Sequence, residues 1–128
     1  MARLFNPAKL GAPAAPYTHG AEVIAGERMI FFSGQVGADT EGNIPSTIEG
    51  QMKNVFSNIE AVLTDAGMEL TDLVKMTSYL VREEDLVGFR NSRNDILGDF
   101  KPAHTLLVIS RLARPEFLIE IEGFASKA

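Results

Sequence analysis

Two carboxylates stand on one face of an otherwise apolar segment near the end of the sequence. Residues 116–125 alternate in side-chain type, which places Glu120 and Glu122 on the strand face opposite to the isoleucines. A carboxylate held in a cleft is suited to act as a general acid or base. Glu120 is therefore a candidate catalytic residue, and a strand with one solvated face is the alternative interpretation.

Other chemically active residue types are scarce. The chain has no cysteine, which excludes disulfides, thiolate catalysis and cysteine-ligated metal sites. Its two histidines, His19 and His104, are too few for a histidine-rich metal site. We therefore expect no metal site, and His19 is interpreted as a packing or loop residue.

Length and charge limit the classes of protein to consider. The 128 residues are enough for one domain with a real core, which we place at residues 1–128. The formal net charge of -5 gives no electrostatic reason to expect a nucleic-acid partner. No apolar run reaches membrane-spanning length, and the start lacks a basic segment followed by an apolar core. We expect a cytosolic protein with neither nucleic-acid nor membrane partners.

The first third of the sequence predicts a loop followed by a hairpin. Prolines within residues 6–16 exclude a helix or central strand and lead to Tyr17, for which edge packing is the ordinary interpretation. Residues 22–33 then predict two strands joined by a two-residue turn. The hairpin ends at Ser33 and Gly34, where a glycine permits either a bulge or the close approach of a ligand.

Two helices are predicted in the middle of the chain. Ser46 and Glu49 form a capping-box pattern, an apolar stripe at helical spacing follows, and Gly67 stands where a C-terminal cap is expected. A strand over residues 73–80 precedes the second helix, which is predicted over about residues 84–100.

The remaining sequence predicts two further strands. The apolar face of the second helix contains one arginine, Arg93, which is a minor irregularity. Residues 102–111 and 116–125 then predict strands that form a hairpin around a break with a proline. The resulting order, β-β-α-β-α-β-β, predicts an α+β fold in which two helices pack on one face of a mixed sheet.

The strand over residues 105–111 is apolar on both faces. Leu106 and Val108 lie on one face, and Leu107 and Ile109 lie on the other. Two helices cover only one face of a sheet, and the chain has no further element for the second face. Self-association is the economical solution, with ligand sites at the subunit junctions.

Short motifs over nearly the whole chain resemble those of the Rid family, the reactive intermediate deaminases, also called YjgF or RidA and labelled endoribonuclease L-PSP. The motifs are specific in combination and are Ala15-Pro16-Tyr17, Phe32-Ser33-Gly34-Gln35-Val36, residues 54–67, Val74-Lys75-Met76-Thr77, Pro102-Ala103, Arg111-Leu112 and Ile119-Glu120-Ile121-Glu122. The resemblance implies a chorismate-mutase-like α+β fold and a homotrimer with three clefts between subunits. It also implies hydrolysis of enamines or imines, such as 2-aminoacrylate, to a keto acid and ammonia without a metal or organic cofactor.

The resemblance also assigns roles to individual residues. Glu120 matches the family glutamate that positions the attacking water, and Tyr17 matches the tyrosine that lines the cleft. Ser33 and Gly34 match the loop whose backbone contacts the substrate.

The chain departs from the family pattern where the substrate carboxylate is held. His104 stands in place of the arginine that follows Pro-Ala in the family, and Leu106 stands where a cysteine is common. An imidazole lacks the guanidinium fork, and the loss of a bidentate charged contact costs about 2–4 kcal/mol of substrate binding. We therefore expect a divergent member that does not hydrolyse 2-aminoacrylate efficiently.

Three functions are compatible with these observations. The leading hypothesis is a Rid-type hydrolase in which Glu120 activates water and Tyr17 orients the substrate. His104 then contacts a substrate that lacks an α-carboxylate or has a different polar group. A non-catalytic trimer that binds a small metabolite in the same cleft is the second. An endoribonuclease is the weakest, because the chain is acidic and has no basic and aromatic stretch.

The predicted final hairpin also positions His104 relative to Glu120. A turn around Arg114 places Glu120 opposite Val108, so that His104 lies on the same sheet face four residues further along, at about 13 Å. That distance is too long for one small ligand to contact both residues. We therefore expect either that neighbouring chains supply the two residues to a shared site or that the site is an elongated cleft with a water near Glu120.

Overall fold

The chain forms six strands and two α-helices. The structure is a computed structural model that describes residues 1–128. Its elements are β1 (Arg3–Phe5), β2 (Gly20–Glu22), β3 (Arg28–Val36), α1 (Ile48–Asp65), β4 (Leu73–Leu80), α2 (Leu86–Leu97), β5 (Ala103–Val108) and β6 (Ile119–Lys127).

The main sheet contains four strands in the order β3-β6-β4-β5. The strand β6 runs antiparallel to both of its neighbours, whereas β5 runs parallel to β4. Parallel neighbours need a crossover connection, and α2 provides it. Both helices contribute to the one hydrophobic core that lies against this sheet. The predicted α+β class, with two helices and a mixed sheet, is confirmed.

The first helix is capped by a residue other than the predicted one. Thr47 is the N-cap, and its Oγ1 accepts a hydrogen bond from the Gly50 N–H at 3.2 Å. The predicted capping box of Ser46 and Glu49 is therefore wrong, because the hydroxyl that faces the free amides belongs to the next residue. At the other end, Gly67 has a φ of 72°, and its predicted capping position is confirmed.

The predicted apolar stripe of α1 is buried. Met52, Val55, Ile59 and Leu63 are fully buried and belong to the main core. The spacing of three and four residues aligns these side chains on one helix face, so burial of the stripe positions the whole helix on the sheet.

A buried glutamine of α1 joins the helix to two loops. Gln51 Nε2 donates hydrogen bonds to the carbonyl oxygens of Pro45 and Glu116, and its Oε1 accepts one from the Leu118 N–H, each at 2.8 Å. The Gln51 side chain therefore satisfies backbone groups both before α1 and just before β6.

The second helix is shorter than predicted. A 3₁₀ turn over Glu83–Asp85 precedes it, and Gly98, with a φ of 58°, follows its last residue. The buried residues of α2 are Phe89, Arg93 and Leu97. Neither helix has the length and apolarity that crossing a membrane requires.

The hairpin predicted over residues 22–33 is wrong. The turn is present, with a hydrogen bond from the Glu27 N–H to the Ile24 carbonyl at 3.2 Å, but the preceding strand β2 pairs with β1. An ion pair of 2.6 Å between Arg3 and Glu22 joins these two strands. The start of the chain, predicted as a loop, thus provides β1, while β3 pairs with β6.

The predicted C-terminal hairpin is also wrong. The strands β5 and β6 do not pair with each other, because β4 lies between them. After Val108 the Ile109 N–H donates to the Leu80 carbonyl at 2.7 Å, which extends the parallel pairing with β4. Alternation of side chains identifies a strand but does not specify which strand it pairs with, so the sequence could not show that β5 and β6 lie on opposite edges of β4.

The sheet face opposite to the helices is uncovered and partly apolar. We call it the outer face. Phe31, which is 75% exposed, packs on Phe124 there, with ring centroids 5.3 Å apart. Leu107 is 46% exposed. This surface agrees with the expectation of self-association, and the homotrimer stays a prediction.

Candidate functional site

A cavity of about 360 Å³ lies between α2, β5 and the proline-rich segment before β2. Three of the residues predicted to contact substrate, Tyr17, His104 and Leu106, line it together. Its other lining residues are Ala15, Pro16, Phe89, Arg90, Arg93 and Thr105. The volume lies within the range of small-metabolite sites.

The proline-rich segment reaches the cavity because it pairs with the start of β5. Thr18 forms an isolated parallel bridge with Ala103. The Tyr17 N–H donates to the Ala15 carbonyl at 2.8 Å, and the Tyr17 ring packs edge-on against His19 at 5.4 Å between centroids. Tyr17 therefore combines the edge packing that its sequence context indicates with a place in the cavity wall.

His104 projects from β5 toward the helices. Its Nε2 lies 2.8 Å from Ser78 Oγ, and its ring stacks on Phe89 at 5.8 Å between centroids. Burial, followed by the positive charges of Arg93 and Lys75, lowers the pKa of His104 from 6.5 to about 4. At pH 7 the imidazole is neutral, so it provides a polar contact without a charge.

Two arginines of α2 also line the cavity. Arg90 is exposed, whereas Arg93 is 1% exposed. In the sequence, Arg93 is a cation on the apolar face of α2, four residues after Phe89. That pattern marks Arg93 as an irregularity but does not point to a ligand site. Arg90 and Arg93 give the cavity wall a positive charge that no lining carboxylate neutralises, although the net charge of the protein is -5.

Glu120 lies on the outer face, away from the cavity. It stands opposite Tyr79 of β4. The Tyr79 hydroxyl donates to Glu122, and this hydrogen bond, burial and the charges of both glutamates raise the pKa of Tyr79. The predicted base therefore belongs to an acidic group of side chains on the uncovered side of the sheet.

The predicted substrate loop accompanies Glu120. A Cβ atom on Gly34 would lie 1.8 Å from Glu120 Oε2, so the carboxylate occupies space that only a glycine leaves open. The irregularity in β3 between Phe32 and Gln35 includes this glycine. Ser33 beside it is exposed, and its carbonyl accepts a hydrogen bond from Gln35 at 3.1 Å. Ser33, Gly34 and Glu120 thus form a second group.

The predicted register between His104 and Glu120 is wrong. Met76 of β4 is opposite His104, and Tyr79 of β4 is opposite Glu120. Residues three apart on a strand point to opposite faces, so His104 and Glu120 do not share a sheet face. The physical reason is the insertion of β4 between β5 and β6. One small ligand cannot contact both side chains within a single chain.

Comparison with known proteins identifies the family. The model of the family described as endoribonuclease L-PSP matches residues 8–127. The chain belongs to this family, the Rid family. A RutC family protein of Pyrococcus abyssi is 35% identical to this Rid protein over 121 residues, which cover 93% of this chain and 92% of the relative. The mitochondrial protein mmf1 of Schizosaccharomyces pombe is 30% identical over 122 residues, 94% of this chain and 73% of the relative.

Solved structures share the fold of this Rid protein. The Rid family protein YyfB of Yersinia pestis superposes with a TM-score of 0.85 at 28% identity, covering 98% of each chain. TdcF of Escherichia coli, solved with bound serine, gives 0.74 at 23% identity over 98% and 99% of the chains, which shows the fold alone. In a sequence alignment TdcF is 25% identical over 123 residues, and its name describes a candidate reactive intermediate deaminase. The predicted YjgF-like fold is confirmed.

Proposed function

We propose that this Rid protein is a cytosolic hydrolase that deaminates a small enamine or imine metabolite at a cleft between the subunits of a homotrimer. The observation that carries the proposal is the convergence of Tyr17, His104 and Leu106 on one metabolite-sized cavity. Family membership and the name of the relative TdcF support the reaction class.

The cavity of one chain lacks a carboxylate that could act as the base, which is why the proposal includes a second subunit. None of the lining residues is a carboxylate, and the predicted base Glu120 lies on the outer face. That face is also the one that needs a cover. A second copy on the outer face is the arrangement in which Glu120 of one subunit serves the cavity of the next.

The proposed reaction adds water to a carbon–nitrogen double bond, which an enamine substrate first forms by gaining a proton at carbon and losing one from nitrogen. Glu120 accepts a proton from water as the water oxygen bonds to the imine carbon, and the imine nitrogen takes up a proton. The resulting carbinolamine loses ammonia and leaves a carbonyl compound, so imine and water become carbonyl and ammonia. Tyr17 orients the substrate through its hydroxyl, and neutral His104 contacts a polar group of the substrate.

Ammonia release tests this proposal, with imines from an amine oxidase, which lack an α-carboxylate, and imines from an amino-acid oxidase, which carry one. The wild type should accelerate the release, and Glu120→Gln should lower the accelerated rate by about 10²–10⁴-fold, the usual contribution of a general base. Glu122→Gln is the matched control, because Glu122 shares the outer face and bonds Tyr79. Equal rates in the wild type and Glu120→Gln would remove the catalytic role.

A non-catalytic trimer that binds a small metabolite is the second candidate function. The observation that favours it is the separation of Glu120 from the cavity by the full thickness of the sheet. The ammonia assay together with a binding measurement discriminates the two functions. A wild type that binds a keto acid but does not change the rate of ammonia release from any imine is a binding protein. Among imines, 2-aminoacrylate should be a poor substrate because His104 lacks the guanidinium fork. An endoribonuclease activity has only the family label in its favour.

A further inference from the structure

Arg93 is a buried charge without a counter-ion. It is 1% exposed, and none of the ion pairs of the chain includes it. Its Nη1 donates to Asn94 Oδ1 and its Nη2 to the Phe100 carbonyl, both at 3.2 Å, while its Nε has no partner. A guanidinium has five N–H donors, so these two hydrogen bonds leave three unused.

This state is unusual for a buried arginine. Buried cations are normally paired with carboxylates, because neutral acceptors do not compensate for the loss of hydration. Burial lowers the pKa of Arg93, yet a guanidinium keeps its proton in proteins. The charge therefore remains in the wall of the cavity, where an entering anion stabilises it.

The rest of the cavity favours the same kind of ligand. Arg90 adds a second cation from the same helix, and no carboxylate lines the space. Tyr17 and neutral His104 supply further polar groups for hydrogen bonds. An anion gains from both arginines, whereas a cation is repelled by them.

We propose that Arg93 is the anion-binding residue of the cavity and that the ligand is a small organic acid whose carboxylate accepts hydrogen bonds from its guanidinium. The inference rests on the proposed site and names its ligand class. It moves the carboxylate contact from the strand position of His104 to the facing helix α2. A carboxylate bound at α2 is displaced from the position that the family arginine would give it, so 2-aminoacrylate can bind through Arg93 and is still expected to be hydrolysed slowly.

Calorimetric titration of the purified oligomer with 2-oxobutyrate and with its neutral amide, 2-oxobutanamide, tests the inference. The wild type should bind the acid at least about tenfold more tightly than the amide. Arg93→Met should weaken binding of the acid by about 10–100-fold and leave binding of the amide unchanged. Arg28→Met is the matched control: Arg28 Nη2 also donates to a carbonyl at a helix end, that of Ala66, at 3.2 Å, and Arg28 does not line the cavity.

Thermal unfolding separates a ligand contact from a structural role. An apolar side chain in place of an unpaired buried charge should keep or raise Tm. A lower Tm for Arg93→Met together with wild-type affinity for 2-oxobutyrate would overturn the inference. If Arg93→Met does not fold, Arg93→Lys keeps the charge without the fork, and unchanged affinity in that variant also overturns it, while weakened affinity supports it.

The outcomes also separate this inference from the proposed function. Binding of 2-oxobutyrate through Arg93 without any imine hydrolysis supports the anion site and removes the catalytic proposal. Hydrolysis of imines with equal affinity for the acid and the amide removes the anion site and keeps the catalytic proposal. A wild type that does not bind 2-oxobutyrate overturns the inference, including the case in which a carboxylate of a second copy already neutralises Arg93.

Discussion

Among single residues, His104 is neutral at pH 7 because it is buried and lies near two positive charges. Burial first, then the charges of Arg93 and Lys75, lowers its pKa to about 4. A neutral His104 leaves Arg93 as the buried cation of the cavity. Two adjacent buried cations repel each other, so an arginine at position 104 would destabilise the buried Arg93. The neutral His104 avoids this repulsion.

The pH dependence of stability tests the state of His104. The pKa of His104 is lower in the folded chain than in the unfolded chain, so protonation favours the unfolded chain. The unfolding free energy therefore decreases as pH falls from 6.5 to about 4. This loss is up to about 3 kcal/mol. Urea unfolding at about pH 7 and about pH 4, at one protein concentration, should show a smaller acid loss for His104→Gln than for the wild type. Identical losses would contradict this prediction.

Gly34 provides a second test at the residue scale. In Gly34→Ala the new Cβ would meet the Glu120 carboxylate, whose Oε2 lies 1.8 Å from that position. Because a carboxylate at the end of a flexible side chain can turn away, we expect a change in unfolding free energy of less than about 1 kcal/mol. Ammonia release should nevertheless fall toward the rate of Glu120→Gln. Ser57→Ala, at an exposed position of α1, is the control, and a wild-type rate in Gly34→Ala would show that the position of Glu120 is unimportant.

At the scale of elements, Gln51 connects α1 to the segment that enters β6. Its side chain is fully buried and makes three hydrogen bonds to backbone groups of Pro45, Glu116 and Leu118. The strand β6, one of the two central strands of the sheet, is therefore positioned partly by a polar side chain of α1.

Removal of this glutamine should be costly. Gln51→Ala leaves two carbonyls and one N–H of the loops without partners and opens a cavity, so we expect a loss of about 2–4 kcal/mol in unfolding free energy. Chemical denaturation measures it. Glu60→Ala, at an exposed position of α1, should change stability by less than about 0.5 kcal/mol. A loss in Gln51→Ala as small as that of the control would contradict the structural role.

Elements that depend on local sequence were predictable. The stripe of α1 and the cap at Gly67 follow from spacing within one helix, and β4 has the predicted bounds of residues 73–80. Strand partners were not predictable, because β5 and β6 have the same alternation whichever edge of β4 they occupy. The predicted C-terminal hairpin and the register of His104 and Glu120 failed for this reason. The hairpin over residues 22–33 failed in the same way, because β2 pairs with β1 and β3 pairs with β6.

The site was predictable in part. Tyr17, His104 and Leu106 were assigned by motif, and the structure brings them to one cavity. Arg93 was missed because charged residues are rarely buried, so a cation on an apolar helix face carries no pattern that points to a ligand. Its role depends on what faces α2 across the cavity, and that is a property of the tertiary structure.

For the whole molecule, the outer face is an exposed and partly apolar surface, which favours association with another protein chain. Phe31 is 75% exposed there and packs on Phe124. A charge at this position should prevent burial of the face between copies, because an unpaired charge in an apolar interface is costly.

Light scattering on Phe31→Glu tests this prediction. We expect the wild type to have the mass of a trimer and the variant to have about a third of that mass. Val87→Glu, at a 71% exposed residue of α2, is the matched control and should keep the wild-type mass. A monomeric wild type at micromolar concentration would contradict the trimer, and an unchanged mass in Phe31→Glu would contradict the use of this face.

The position of β6 has a consequence for biosynthesis. The strand lies between β3 and β4, although it follows both of them along the chain. At about 5–20 residues per second, a ribosome needs roughly two to eight seconds to proceed from the end of β4 to the start of β6. During that interval β3 and β4 present unpaired edges, which are the sites at which nascent chains associate with one another. We therefore expect a chain stalled before residue 119 to need chaperones that keep these edges apart, however stable the finished protein is.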